Sequence, residues 1–145
     1  MTLQSVIKVW KIHFHGSCTN HGVGAWIVLI TLDHDTIPKS FRLKFQCTNN
    51  IVEYEALVIG LKIAIQWRIK NLKVFGDSQL VISQVNNDYM TKDEKLIPYR
   101  AQMEQLHTKF HYILFEQVPR AQNKAADAMA TIASLIDMPG NDTKL

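Results

Sequence analysis

Three acids and one histidine have the types and placement to act together on a phosphodiester or a metal ion: Glu53, Asp77, Asp127 and His15. Glu53 lies in Thr48-Asn49-Asn50-Ile51-Val52-Glu53-Tyr54-Glu55-Ala56-Leu57, which reads as the start of a helix. Asp77 directly follows Phe75-Gly76 at the end of an apolar run, and Asp127 sits in Asn123-Lys124-Ala125-Ala126-Asp127-Ala128-Met129-Ala130. Each has a plain structural alternative. Glu53 stands three positions after Asn50, the expected N-cap, where a capping-box acid belongs. Asp77 suits the N-cap of the helix after it, and Asp127 suits a solvated first turn favoured by the helix dipole. Taken together, acids at element ends that converge on one sheet edge describe a site for hard cations. Magnesium takes oxygen ligands, and two such ions about 3.5–4 Å apart serve an in-line phosphoryl displacement.

The elements that must position these groups follow from periodicity. Val9 to Phe14 alternates as a strand and runs into an expected turn at His15-Gly16-Ser17; Val23 to Thr31 and Phe41 to Phe45 follow as strands, with Asp33-His34-Asp35 and Pro38 marking the turn between them. Tyr54, Leu57, Val58, Leu61 and Ile65 recur on one helical face, so a long helix is predicted from Ile51 to about Lys70. On that helix Glu53 leans towards the protein, and Glu55 towards water with Lys62 and Gln66. Leu72 to Phe75 is a short strand and Gln79 to Val85 a helix, broken at Asn86-Asn87-Asp88; Met90 to Lys95 is a polar connection. Pro98 opens a helix to about Phe110, Tyr112 to Val118 is a last strand, Pro119 to Gln122 a loop and Asn123 to Ile136 a final helix. A meander followed by strand–helix alternation gives an α/β fold with a mixed sheet. Right-handed crossovers then place His15, Asp77 and the start of the long helix together.

With 145 residues the chain reads as one domain over 1–137, followed by a frayed tail over 138–145. A net charge of +3 permits a polyanionic partner without demanding one. Cys18 and Cys47 are too few and too far apart for a disulfide framework or zinc knuckle, so a reducing compartment is expected. No targeting signal or membrane span is visible, which makes the cytoplasm or nucleus the expected address. Gly22-x-Gly24 opens a strand rather than a helix, the wrong setting for a phosphate-binding loop.

Four blocks carry a family resemblance: Phe14-x-Gly16-Ser17, Thr48-Asn49-Asn50-x-x-Glu53-Tyr54-x-Ala56-Leu57, Gly76-Asp77-Ser78-Gln79-Leu80-Val81, and Pro119-Arg120-x-x-Asn123-x-x-Ala126-Asp127-Ala128-Met129-Ala130. In this order, and spanning about Trp10 to Leu135, they resemble ribonuclease H domains, most closely those of plant gypsy-type retrotransposon polyproteins. The resemblance implies a five-stranded mixed sheet of order 3-2-1-4-5 flanked by helices. It also implies magnesium-dependent endonucleolytic cleavage of the RNA strand of an RNA/DNA hybrid, with a reverse transcriptase domain of the same polyprotein as a possible partner. Glu53, Asp77 and Asp127 match three of the family's four metal-binding acids. Asn49, Asn50 and Gln79 match side chains that hold the hybrid, helped by the main chain of Gly16 and Ser17. The link from Asn86 to Lys95 lacks the basic extra helix of some cellular members.

The departure is at position 15. Where the resemblance places the first metal-binding aspartate, this chain has His15. Imidazole offers one nitrogen, cannot bridge two ions as a carboxylate does, and suits magnesium poorly. Impaired cleavage is the expectation, and a module that binds hybrid or a partner protein without cutting is the alternative. A third reading gathers His13, His15 and His21 with Asp77 around manganese or zinc.

Overall fold

The computed structural model describes residues 8–19, 22–43, 48–86 and 94–136, with side-chain surroundings as far as 128. His21, the strand end at Phe45, most of the 86–95 link and the 138–145 tail lie outside the described residues. Among the described residues five strands run β1 (Trp10–Thr19), β2 (Gly22–Ile30), β3 (Thr36–Leu43), β4 (Asn71–Gly76) and β5 (Tyr112–Gln117). The same residues hold the α-helices α1 (Asn49–Gln66), α2 (Gln79–Val85), α3 (Ile97–His107) and α4 (Arg120–Ile136), with a short 3-10 turn at Glu94–Leu96. The strands form one sheet of order β3-β2-β1-β4-β5, antiparallel through β3-β2-β1 and parallel through β1-β4-β5, as the resemblance implied.

Ile12, Phe14, Ile27 and Leu29 point from the sheet into a core completed by Tyr54, Leu57 and Leu61 of α1. Helices α2 and α3 flank α1, and α4 crosses β1–β3. Burial between layers explains why α1 hides more than one stripe: Val52, Glu53, Ala56, Gly60 and Ala64 are buried besides the expected apolar face. Among the described residues no helix is long and apolar enough to cross a membrane.

Several local boundaries differ from the sequence pattern for identifiable reasons. β1 does not turn at His15-Gly16-Ser17, because its ladder with β2 continues to Thr19 opposite Gly22. β3 begins at Thr36, and Pro38 pairs with Val28 inside it. A proline that cannot donate to a ladder is tolerated because β3 is a sheet edge. Thr48, not Asn50, caps α1, its Oγ1 accepting from the Ile51 amide at 3.4 Å. The helix stops at Gln66 because Arg68 takes a left-handed φ of 61°. The Ile69 and Arg68 amides then bond back to the Ala64 and Ile65 carbonyls, the pattern of a Schellman stop. α4 starts at Arg120, ahead of the expected Asn123, since the Gln122 and Asn123 amides already bond to the Pro119 carbonyl.

The parallel ladder between β1 and β4 ends at His13 opposite Phe75. β1 continues for six residues beyond it, paired on its β2 side alone. This overhang is where α1 comes closest: a Cβ on Gly16 would lie 2.5 Å from the Val52 backbone. A Cβ on Gly60 would meet Ile12 Cδ1 at 2.6 Å, the mobile end of a side chain. Gly16→Ala is therefore expected to lower stability by about 1–3 kcal/mol, since a backbone neighbour cannot yield. Gly60→Ala should stay within about 1 kcal/mol of the parent, because helix propensity offsets a small shift of Ile12. Urea midpoints of both variants check this, and equal losses would contradict the close approach at Gly16.

Candidate functional site

Alternate residues of an extended strand direct their backbone groups to the same side. Beyond the end of β4, the Phe14 carbonyl and the Gly16 and Cys18 amides therefore lack a neighbouring strand. Each is taken by a helix side chain. The Gly16 amide donates to Glu53 Oε1 at 2.6 Å, and the Cys18 amide to Asn49 Oδ1 at 3.2 Å. The Phe14 carbonyl accepts from Asn123 Nδ2 at 2.9 Å. Glu53 thus bridges α1 to β1 rather than closing a capping box. The magnitudes favour this, because an unpaired buried amide costs about 1–3 kcal/mol whereas a cap contributes about 1. Glu55 is not free in water either: its Oε1 accepts from the Tyr99 hydroxyl at 2.7 Å.

The same edge gathers charge. His15 Nδ1 lies 3.0 Å from Glu53 Oε1 and 3.4 Å from Asp77 Oδ1. Glu53 is 4% exposed, and its Oε2 and His15 Nδ1 are buried without a well-formed hydrogen bond. The 3.0 Å approach is accordingly an ion-pair contact whose alignment falls short of a hydrogen bond. The Glu53 carboxylate, and behind it the charge of Asp77, hold the His15 pKa above its ordinary value, although burial opposes them. Asp127 stands outside the His15–Glu53–Asp77 trio. Burial raises its pKa, and the charge of His15 partly counters that rise.

Asn123 organises the other side. It is fully buried; Oδ1 faces His13 Nδ1 at 2.8 Å, and Nδ2 reaches both Phe14 O and, at 3.4 Å, Asp77 Oδ2. Because its amide nitrogen already donates, Oδ1 must accept, which places the His13 proton on Nδ1. Burial lowers the His13 pKa, and its ring stacks on Phe75 at 4.9 Å. His13 is therefore engaged by Asn123 and lies outside the His15–Glu53–Asp77 trio, whereas the third sequence reading groups it with His15, His21 and Asp77.

These groups open into a cleft of about 270 Å³ lined by His15, Ser17, Asn49, Asn50, Asp77 and Arg120. Gly16 and Ser17 also line it, but the Gly16 amide is occupied by Glu53. Gln79 is exposed on the first turn of α2, outside the cleft lining. Ser78 caps α2 through Oγ, 3.2 Å from the Val81 amide, so Asp77 is released from the capping duty open to it. Arg120 and Asn123 stand in the fourth motif block and Cys18 in the cysteine count, but the sequence assigns none of them a role at the site. Arg120 Nε stands 3.9 Å from Asp77 Oδ2 with a 68% exposed side chain, a cation at the rim. The signal for Asn123 is its place in the fourth motif block, which gives no hint of a partner 110 residues away.

Comparison with known proteins fits this geometry. The family model described as reverse transcriptase-like matches residues 13–133. A bifunctional protein of Mycobacterium tuberculosis is 35% identical over 120 residues, covering 81% of this chain but 33% of its own length. This chain thus spans about a third of that relative. The crystal structure of RNase H1 from the archaeon Halobacterium salinarum superposes with a TM-score of 0.76 at 30% identity, covering 89% of this chain and 98% of that one. LC11-RNase H1, solved in complex with RNA/DNA hybrid, gives a TM-score of 0.72 at 23% identity over 87% and 99% of the two chains, a likeness of fold.

The raised pKa of His15 has a definite sign for stability. The contribution is fully present below the unfolded value of about 6.5 and is lost as pH rises through the higher folded value. In chelator-treated buffer, the stability advantage of the parent over His15→Gln should be largest in mild acid and shrink towards alkaline pH. Denaturant midpoints across that range test it; an advantage that grows with pH would contradict the ion-pair arrangement.

Proposed function

This chain belongs to the reverse transcriptase-like family and carries a ribonuclease H-type domain, and from that premise we propose that it binds RNA/DNA hybrid and is directed at hydrolysis of the RNA strand, with cutting impaired by His15. The observation that carries the proposal is the His15 Nδ1 set 3.0 and 3.4 Å from the Glu53 and Asp77 carboxylates. Divalent magnesium supplies, when bound in such sites, the positive charge that steadies the attacking and leaving oxygens of the displacement. The donors here do not fit a pair of such ions. An imidazole stands where a bridging carboxylate is needed, and Asp127 lies outside the trio. Glu53, Asp77 and Asp127 remain the proposed catalytic and metal-binding acids, with His15 the residue that disables them.

Substrate holding needs none of this charge. With Asn49 Oδ1 engaged by the Cys18 amide, its NH2 group is directed to donate, and Asn50 and Ser17 line the same cleft. Such donors and acceptors read 2′-hydroxyls, the feature that separates RNA from DNA. Gln79 is proposed to reach the hybrid from outside the cleft. A larger groove of about 530 Å³ meets the cleft at Ser17 and runs past Trp26, Ser40 and Arg42, giving a strand of hybrid a path with a cation beside it. The proposed setting is a domain over 1–137 with a short tail over 138–145, of plant gypsy-type retroelement origin. It would work beside a reverse transcriptase domain in the cytoplasm or nucleus. The family description and the exposed free Cys18, at home in a reducing compartment, support it.

The same His15 favours a second reading, in which the domain holds hybrid or a partner protein and does not cut. One assay separates them. The protein as it stands is expected to bind hybrid more tightly than duplex DNA at matched salt, with weak or absent magnesium-dependent cleavage. His15→Asp should raise cleavage by several powers of ten, at about 1.4 kcal/mol per decade, and Asp77→Asn in that background should abolish it. A revertant that binds but still does not cut selects the second reading. Robust cutting by the parent, unchanged by reversion, would remove His15 from the proposed role.

A further inference from the structure

We propose that His15, Glu53 and Asp77 form a site for a single first-row transition cation of the cobalt-to-zinc kind, bound in preference to magnesium. This rests on the reading of the cleft as the metal-bearing site of the domain, and adds which class of ion it takes and how many.

The spacing comes first. Nitrogen and oxygen ligands held about 2.0–2.2 Å from one ion stand roughly 3.0 Å apart at a right angle and roughly 3.4 Å apart at a tetrahedral angle. The His15–Glu53 and His15–Asp77 separations are 3.0 and 3.4 Å, and the three ligand atoms all lie within 4.8 Å of one another. The second observation is independent of spacing. Buried polar atoms are ordinarily paired, yet among the described residues Glu53 Oε2 is buried without a hydrogen-bond partner, and His15 Nδ1 faces only the two carboxylates. Glu53 is 4% exposed, so this is a built position and not a surface acid.

Donor chemistry selects the ion. Magnesium prefers an all-oxygen set, whereas one imidazole nitrogen with two carboxylates suits the later first-row cations, whose affinities rise along the series. Three protein ligands with an open fourth position is the usual arrangement of an accessible zinc site. The surroundings limit the number to one. Imidazole presents one nitrogen to this cluster and cannot bridge. His13 is engaged by Asn123, and the Arg120 guanidinium stands 3.9 Å from Asp77 Oδ2, where it disfavours a second divalent charge.

The test uses the whole chain, stripped of metal, at mildly alkaline pH, with cobalt(II) as the probe and visible absorption as the readout. One cobalt ion per chain is expected, displaced by stoichiometric zinc and not by about a hundredfold excess of magnesium. His15→Ala and Asp77→Asn should each weaken cobalt binding by at least the roughly 10–100-fold typical of disturbing a metal site. His15→Asp should narrow the gap between zinc and magnesium. Two ions per chain, ready displacement by magnesium, or a spectrum unchanged in His15→Ala (an adventitious ion only, on a surface histidine such as His107 or His111) would each overturn the proposal. Hybrid binding by the same metal-free protein reports on the functional reading separately. Its loss would overturn that reading while the cobalt stoichiometry still decides this one.

Discussion

A strand that outruns its neighbour leaves backbone groups that must still find partners, and the end of β1 is built around that demand. The Phe14 carbonyl and the Gly16 and Cys18 amides face the side that β4 has left. Asn123, Glu53 and Asn49 stand in for the missing strand. Those three side chains come from the N-terminal ends of α4 and α1, so pairing the edge also fixes both helix starts against the same few residues of β1. Gly16 permits it, because any Cβ there would enter the Val52 backbone. The carboxylate of Glu53 is then held buried, with one oxygen committed and the other without a hydrogen-bond partner.

That geometry makes the identity of residue 15 decisive. A side chain at this position projects between two carboxylates in a low-dielectric pocket, where an unbalanced negative charge is costly. Imidazole balances it from within the chain: Glu53 and Asp77 raise the pKa of His15, and Arg120 screens Asp77 from outside. An aspartate at the same point would add a charge instead and require cations to hold the site together. With His15 in place the two carboxylates are balanced from within the chain, and Ser17, Asn49 and Asn50 line the same cleft beside them.

Much of this was legible in the residues. Strand and helix order followed from period and turn chemistry, and the four motif blocks carried the sheet order. What failed did so where tertiary context overrides a local rule. Pro38 reads as a turn residue, but an edge strand has no use for its missing donor. Glu53 satisfies the capping-box spacing, yet the orphan amide of Gly16 competes for it and wins. Gly16 with its neighbours looks like a turn because the sequence does not reveal that β2 stays paired as far as Gly22. Asn123 gives no local sign of its work, since its partners Phe14 and His13 are over a hundred residues away, and Asp77 lies 46 away. The convergence of Glu53 and Asp77 beside His15 could be argued from topology alone, whereas the exclusion of Asp127 from that trio depends on side-chain placement.

The overhang of β1, with the start of α1 against it, is the proposed hybrid-holding surface whether or not the site can cut. Backbone amide NMR of the labelled chain, titrated with an RNA/DNA hybrid in the absence of divalent ions, tests this directly. Shift changes should concentrate at Gly16, Ser17, Cys18, Asn49 and Asn50, with a smaller response at Gln79, and should fade as salt is raised. Changes centred instead on the exposed Tyr112 and Leu114 of β5, with the β1 overhang unmoved, would contradict it.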